Sequence, residues 1–176
     1  MERLNYIARE RGHFALSGAP AGFDAYLAAE AAKRRQGIVL FVSADDAAAQ
    51  TVADGIGFFA PKTRVLQFPA WDCLPYDRLS PKPDIESRRL ATLAALASRG
   101  HEAGAAVVVT PVHALLQRVP PRAAIRESSF LARAGQPIGH EQLVGFLVRN
   151  GYARASTVRE PGDFALRGGI IDLWPP

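Results

Sequence analysis

Two glycines near the start of the chain lie between a predicted strand and a predicted helix, where a loop that binds nucleotide phosphates would lie. Such a loop needs glycines so that the backbone can wrap around phosphate, a lysine that reaches the outer phosphates, and a serine or threonine that holds magnesium. Gly18 and Gly22 are present, but Phe23 and Asp24 occupy the positions of the lysine and the hydroxyl residue. A phenyl ring cannot neutralise phosphate, and a carboxylate repels it. The sequence therefore predicts a degenerate loop that does not bind nucleotide.

Other polar residues do not form a recognisable catalytic or metal-binding set. Asp45 and Asp46 are adjacent helix-cap candidates, and the four histidines are scattered without cysteine partners. Three more aspartates lie in or beside a proline-rich loop without a nearby histidine: Asp72, Asp77 and Asp84. Cys73 is the only cysteine, so no intrachain disulfide can form, and we expect it to be a small buried residue rather than a nucleophile. The sequence predicts no catalytic residue, metal or cofactor.

Composition points to an ordinary globular chain of 176 residues, 48% hydrophobic and 22% charged. No apolar run approaches the ~18 residues of a membrane span, and no apolar signal-peptide core follows Met1. We therefore expect a cytoplasmic protein without a membrane partner. The net charge of +4 permits contact with nucleic acid but does not require it.

Strands and helices alternate over residues 1–119. Predicted strands fall at 13–16, 38–42, 63–68 and 105–110, and predicted helices at 23–35, 45–59, 84–98 and 111–119. Strands joined by helices imply an α/β domain with a parallel sheet covered on both sides. Residues 38–42 are apolar throughout, which favours a central strand. We expect Gly37 to end the first helix, Ser43 or Asp45 to cap the second, and Asp84 to cap the third.

Pro120 and Pro121 are the expected boundary, after which the pattern changes. Residues 120–176 predict a smaller α+β domain with antiparallel strand pairing. Its elements are a strand at 125–131, a helix at 140–150 ended by Gly151, and strands at 152–159 and 164–174 separated by a Pro161–Gly162 turn.

Several stretches carry a family resemblance that covers most of the chain. They are FPAWDCLPYDRLSP at 68–81, DIESRRLATL at 84–93, VVVTPVHALLQR at 107–118 and GDFALRGGIIDLWP at 162–175. In this order they resemble the bacterial transcription-repair coupling factors. That part of the family is similar to the excision-repair subunit UvrB, whose helicase-type α/β domain is interrupted by a UvrA-binding domain.

The resemblance implies a non-catalytic module that recruits UvrA, and so brings nucleotide excision repair to stalled RNA polymerase. Contacts with RNA polymerase and DNA, and the ATP-driven translocase motor, would belong to parts of the parent protein outside this chain. Phe23 and Asp24 replace the lysine and threonine of UvrB's working loop. The segment after Tyr76 also leaves no room for UvrB's DNA-clamping hairpin.

Arg167 is the residue that the resemblance singles out for UvrA binding. The segment 163–169 resembles a UvrB motif, Phe-Arg-Val-Arg-Gly, in which both arginines face UvrA. Because residues two apart share a strand face, we expect Ala165 and Arg167 to point one way, while Phe164 and Leu166 are buried on the other. Ala165 departs from the UvrB pattern. Arg154 and Arg159 are expected to extend the basic face.

The residues alone are also compatible with two other functions. A DNA-binding domain would use its arginines on phosphates and lose affinity steeply with salt. An ATP-dependent motor fragment is disfavoured by Phe23 and Asp24. The loop at 71–83 could also be a binding surface, although Trp71, Leu74 and Tyr76 could instead cover the sheet edge.

Overall fold

A computed structural model describes residues 6–7, 10–73, 80–98, 104–130, 132–160 and 162–175. Contacts between Cα atoms divide the chain into two compact units, Met1–Pro120 and Pro121–Pro176. Leu74, Tyr76, Asp77, His101 and Pro161 lie outside the described residues. No helix in the described ranges is long and apolar enough to span a membrane.

Within the described residues, three strands and four helices have defined bounds in the first unit. They are α1 (Phe23–Arg35), β1 (Ile38–Ser43), α2 (Asp46–Phe59), β2 (Arg64–Gln67), α3 (Pro83–Ala97), β3 (Ala106–Pro111) and α4 (Val112–Leu115). The strands form a parallel sheet of order β1-β3-β2. The expected α/β unit with a parallel sheet is therefore confirmed.

Residues 38–42 were expected to form a central strand, but the strand order places them at an edge of the sheet. β3 is the central strand and is buried along its whole length, whereas β1 lies at an edge. Ile38, Leu40 and Val42 alternate along β1 and are all exposed. The apolar run predicted a strand correctly, but it could not show which strand has neighbours on both sides.

The boundaries of the first three helices follow local signals closely, but the helix predicted at 111–119 is only the four-residue α4. α1 and the end of α2 lie where the sequence places them, and the Asp45 side chain caps α2 by accepting a 2.7 Å hydrogen bond from the Ala48 amide. Gln36, rather than Gly37, takes the left-handed conformation that ends α1. Lys82 is the N-cap residue of α3, since Pro83 occupies the first turn, and Asp84 instead pairs with Arg88.

Two hydrophobic clusters cover the faces of the sheet. One joins the alanines of α1 to Val52 and Ile56 of α2 and to Val107 and Val109. The other joins Leu66 and Phe68 to Ala106 and Val108, with Leu93 and Leu96 of α3 packed against it. Since alternate residues of β3 enter opposite clusters, this strand anchors both layers.

The described part of the second unit contains two helices, α5 (Arg122–Glu127) and α6 (His140–Arg149), and three strands, β4 (Ala153–Arg154), β5 (Asp163–Arg167) and β6 (Ile170–Leu173). The helix at α5 replaces the strand predicted at 125–131, since a short apolar pattern does not distinguish the two. α6 ends at Arg149, one residue before the predicted end, and Gly151 follows it with a left-handed φ of 80°.

The sheet of the second unit mixes directions. β5 and β6 are antiparallel and joined by Gly168 and Gly169, so the single strand predicted at 164–174 is a hairpin. β4 has only two residues and pairs parallel to β5, which corrects the long antiparallel strand predicted at 152–159.

Candidate functional site

The glycine loop before α1 is exposed, and none of the described residues before it forms a strand. Residues 13–16 are irregular and exposed rather than a strand. Gly18 and Gly22 have φ of 70° and 81°, which only glycine adopts without strain. The expected loop therefore exists, but its supporting strand does not.

At the start of α1, the side chains of Phe23 and Asp24 contact other groups of the chain. The Phe23 ring lies 6.0 Å from the Tyr26 ring, which in turn lies 5.7 Å from the Phe59 ring. The Asp24 carboxylate accepts a 2.8 Å hydrogen bond from the Ala25 amide. A helix N-terminus attracts anions through its free amides. Here a carboxylate of the chain already engages one of them.

We expect magnesium-ATP not to bind this chain. The reason is that a ring and a carboxylate stand where phosphate needs a cation and a hydroxyl group. Calorimetric titration to millimolar nucleotide should give no binding heat beyond dilution. A working P-loop ATPase in the same buffer serves as the positive control, and a micromolar dissociation constant for this chain would contradict the expectation.

A crevice of about 360 Å³ lies elsewhere, at the carboxyl ends of the strands. Its charged groups are satisfied by one another. Lys82 Nζ lies 3.6 Å from the Asp72 carboxylate, and His113 Nε2 lies 3.2 Å from Asp46. Arg88 pairs with Asp84. Parallel sheets commonly bind ligands at this edge, but each of these three aspartates already lies beside a basic side chain of the chain itself.

Arg89 is the feature that sequence reasoning missed. It is only 2% exposed. Its guanidinium lies between the rings of Phe68 and Trp71, 4.1 and 4.2 Å from their centroids. Burial lowers the pKa of this guanidinium. A buried arginine needs partners of this kind because desolvation disfavours its charge.

Hydrogen bonds tie Arg89 to the start of the proline-rich loop. One guanidinium nitrogen donates to the Pro69 carbonyl oxygen at 2.6 Å and to the Gln117 side-chain oxygen at 2.9 Å. The same Gln117 oxygen accepts from the Trp71 amide at 3.2 Å. Trp71 is thus held against the body of the first unit, as the structural interpretation of this loop expects.

Cys73 is half-buried. Among the residues that the structure describes, no group of three or more histidine, cysteine, aspartate or glutamate side chains could hold a metal ion.

The β5–β6 hairpin carries Arg167 on its exposed side. Phe164 is fully buried and Leu166 half-buried, while Arg167 is exposed, as the alternation predicts. Ala165 shares the face of Arg167 but is itself buried. Arg167 forms an ion pair with Asp172 of β6, a partner that sequence reasoning did not consider.

Arg154 does not share the sheet face of Arg167, and Arg159 lies outside the strands. Arg154 lies opposite Phe164 in the β4–β5 register, so it belongs to the face opposite that of Arg167. Arg159 lies in the exposed loop before β5, where its amide donates to the Asp163 carboxylate at 3.2 Å. The register therefore separates Arg154 from the basic face that the sequence predicts.

Comparison with known proteins places this geometry in a family. Residues 131–176, which contain the β5–β6 hairpin, match the family model described as UvrB interaction domain. The chain is 35% identical over 153 residues to the transcription-repair-coupling factor of Escherichia coli K12, an alignment that covers 86% of the chain. The chain belongs to the transcription-repair-coupling factor family.

Other relatives extend the same match. The transcription-repair-coupling factor of Mycobacterium bovis is 37% identical over 164 residues, or 90% of this chain, and that of Bacillus subtilis is 32% identical over 127 residues, or 72%. The chain spans 13% of the length of the Escherichia coli and Mycobacterium proteins and 10% of the Bacillus protein.

Proposed function

We propose that this chain is the UvrB-like recruitment module of a transcription-repair coupling factor. It binds UvrA and so brings nucleotide excision repair to stalled RNA polymerase, while other parts of the parent protein engage the polymerase and DNA. The observation that carries this proposal is the match of residues 131–176 to the UvrB interaction domain, together with an exposed Arg167 on its hairpin. The module itself performs no chemistry.

The first unit has a supporting role in this proposal. It is a helicase-type domain whose nucleotide loop, Gly18 to Asp24, no longer serves phosphate binding. The parallel sheet and the substitutions at Phe23 and Asp24 support this interpretation. The charge pattern also favours recruitment over DNA binding, because several arginines are paired with acids of the chain, among them Arg88 and Arg167.

Arginine suits the role of Arg167, because its planar fork can hold a partner's carboxylate through two hydrogen bonds. Its side chain is 63% exposed and already paired with Asp172, which limits the gain from a new partner. We therefore expect Arg167→Ala to weaken UvrA binding about tenfold, or about 1.4 kcal/mol. Arg154→Ala should have a smaller effect, since Arg154 lies on the other face.

Biosensor titration of purified UvrA over the immobilised chain measures this loss. Arg133→Ala is the matched control, because Arg133 is an exposed arginine of the same unit outside its strands and its removal changes the net charge equally. Circular dichroism establishes that each variant is folded. Equal affinities of wild type and Arg167→Ala would remove Arg167 from the interface, and no binding by any of the proteins would refute the recruitment function.

A further inference from the structure

One face of the β5–β6 hairpin brings charged and apolar side chains together. Arg167 lies directly opposite Ile170, and Ala165 lies opposite Asp172. Side chains of directly opposed residues point to the same side of a sheet. The ladder continues beyond β6, since the Trp174 amide donates to the Asp163 carbonyl oxygen at 3.0 Å. Trp174 follows Asp172 by two residues and so belongs to this face.

The ion pair on this face crosses diagonally between the strands. Arg167 reaches past its direct neighbour to the carboxylate of Asp172, which stands opposite the small Ala165. Both side chains stay open to solvent, at 63% and 37% exposure. A guanidinium has five N–H donors and a carboxylate about four acceptor positions. Each therefore retains capacity for a second partner.

Exposed apolar side chains flank this pair. Ile170 is 64% exposed and Trp174 is 49% exposed. Tryptophan and arginine are enriched among the residues that dominate binding energy at protein interfaces, where apolar neighbours exclude water from polar contacts. A fixed pair of opposite charges also selects the orientation of a partner. The partner must place an acidic group against the arginine and a basic group against the aspartate.

We propose that Arg167, Asp172, Ile170 and Trp174 bind UvrA as one surface, an inference that rests on the recruitment function above. Arg167 binds a carboxylate of UvrA, and Asp172 binds an arginine or lysine beside it. Ile170 and Trp174 pack against apolar side chains of UvrA. Asp172 is thus a contact residue that sets the polarity of the interface, rather than only an internal partner of Arg167.

Exchanging the charges of Arg167 and Asp172 tests whether their order determines UvrA binding. The double variant Arg167→Asp with Asp172→Arg keeps the internal ion pair and the net charge but reverses their order. UvrA binding should fall at least thirtyfold, while the melting temperature stays near that of wild type. Asp172→Asn should weaken binding about fivefold, and Trp174→Ala about tenfold. Ile170→Ala should weaken binding more than Val148→Ala, which removes a similarly exposed side chain from α6.

The outcomes separate the two proposals. If Asp172→Asn binds as well as wild type or better, Asp172 only competes for Arg167 and the inference is overturned, although recruitment by Arg167 stands. Binding by the double variant at wild-type strength overturns the polarity. If Trp174→Ala and Ile170→Ala leave binding unchanged, the apolar contacts are overturned. A wild-type chain that does not bind UvrA overturns both the inference and the recruitment function.

Discussion

Replacing Arg89 by alanine is expected to lower the free energy of unfolding by about 3 kcal/mol. The substitution removes a guanidinium that is stacked between Phe68 and Trp71. It also leaves the Pro69 carbonyl and the Gln117 side-chain oxygen without this donor. Buried polar groups that lose a partner cost roughly 1–3 kcal/mol, and the vacated volume adds to this. Urea unfolding followed by tryptophan fluorescence and circular dichroism measures the change.

The neighbouring Arg88 is the control for this prediction. It is an exposed arginine of α3 that pairs with Asp84, and exposed pairs contribute little, so Arg88→Ala should cost under about 1 kcal/mol. Arg89→Lys should fall between the two alanine variants, since a lysine keeps a donor but cannot stack as a plane. If Arg89→Ala is no more destabilising than Arg88→Ala, the buried guanidinium does not hold the loop.

Two glycines of α2 are expected to respond in opposite directions to alanine. A Cβ on Gly55 would lie 2.8 Å from the Cβ of Ala25 in α1, closer than real Cβ contacts allow. Gly55→Ala must therefore push the two helices apart, and we expect a net loss of about 1–2 kcal/mol. A Cβ on Gly57 meets nothing within 4 Å. Gly57→Ala should stabilise the chain by about 0.5–1 kcal/mol, because alanine favours the helix.

Thermal and urea unfolding measure the difference in stability between the two variants. Each variant is the control for the other, because both gain the same helix propensity. Adding Ala25→Gly to Gly55→Ala should recover part of the loss, since it moves the small residue to the other helix. Equal stabilisation by Gly55→Ala and Gly57→Ala would show that α1 and α2 are not in close contact at this point.

Local signals made the helices of the first unit predictable, whereas strand positions depended on distant residues. The Asp45 cap marks the start of α2 through its own hydrogen bond to Ala48. Residues 13–16 have an apolar pattern that suits a strand, but a strand also needs a neighbour, and Phe14 and Leu16 remain exposed. The edge position of β1 likewise follows from strand order, which is a property of the whole sheet rather than of its residues.

The candidate site was predicted in part, for similar reasons. The two-residue period of a strand correctly predicted that Arg167 is exposed and Phe164 is buried. The apolar pattern of residues 164–174 predicts one strand and therefore does not predict the pairing with Asp172, although the Gly168–Gly169 pair is typical of a two-residue hairpin turn.

Residue type alone does not indicate the buried face of α3. Leu90 is exposed, whereas the adjacent Arg89 is buried. Arginine is almost never fully buried without partners, and those partners are distant in the sequence.

The exposed edge of the first sheet has a consequence for the colloidal behaviour of this chain. Both outer strands have one neighbour within the described residues, but they differ in composition. β2 carries Arg64 and Gln67, whereas β1, IVLFVS, contains neither a charge nor a proline. Unprotected apolar edges are where separate molecules add strand to strand. We therefore expect β1 to promote aggregation of this chain at high concentration, and Leu40→Lys to raise the concentration at which aggregation begins.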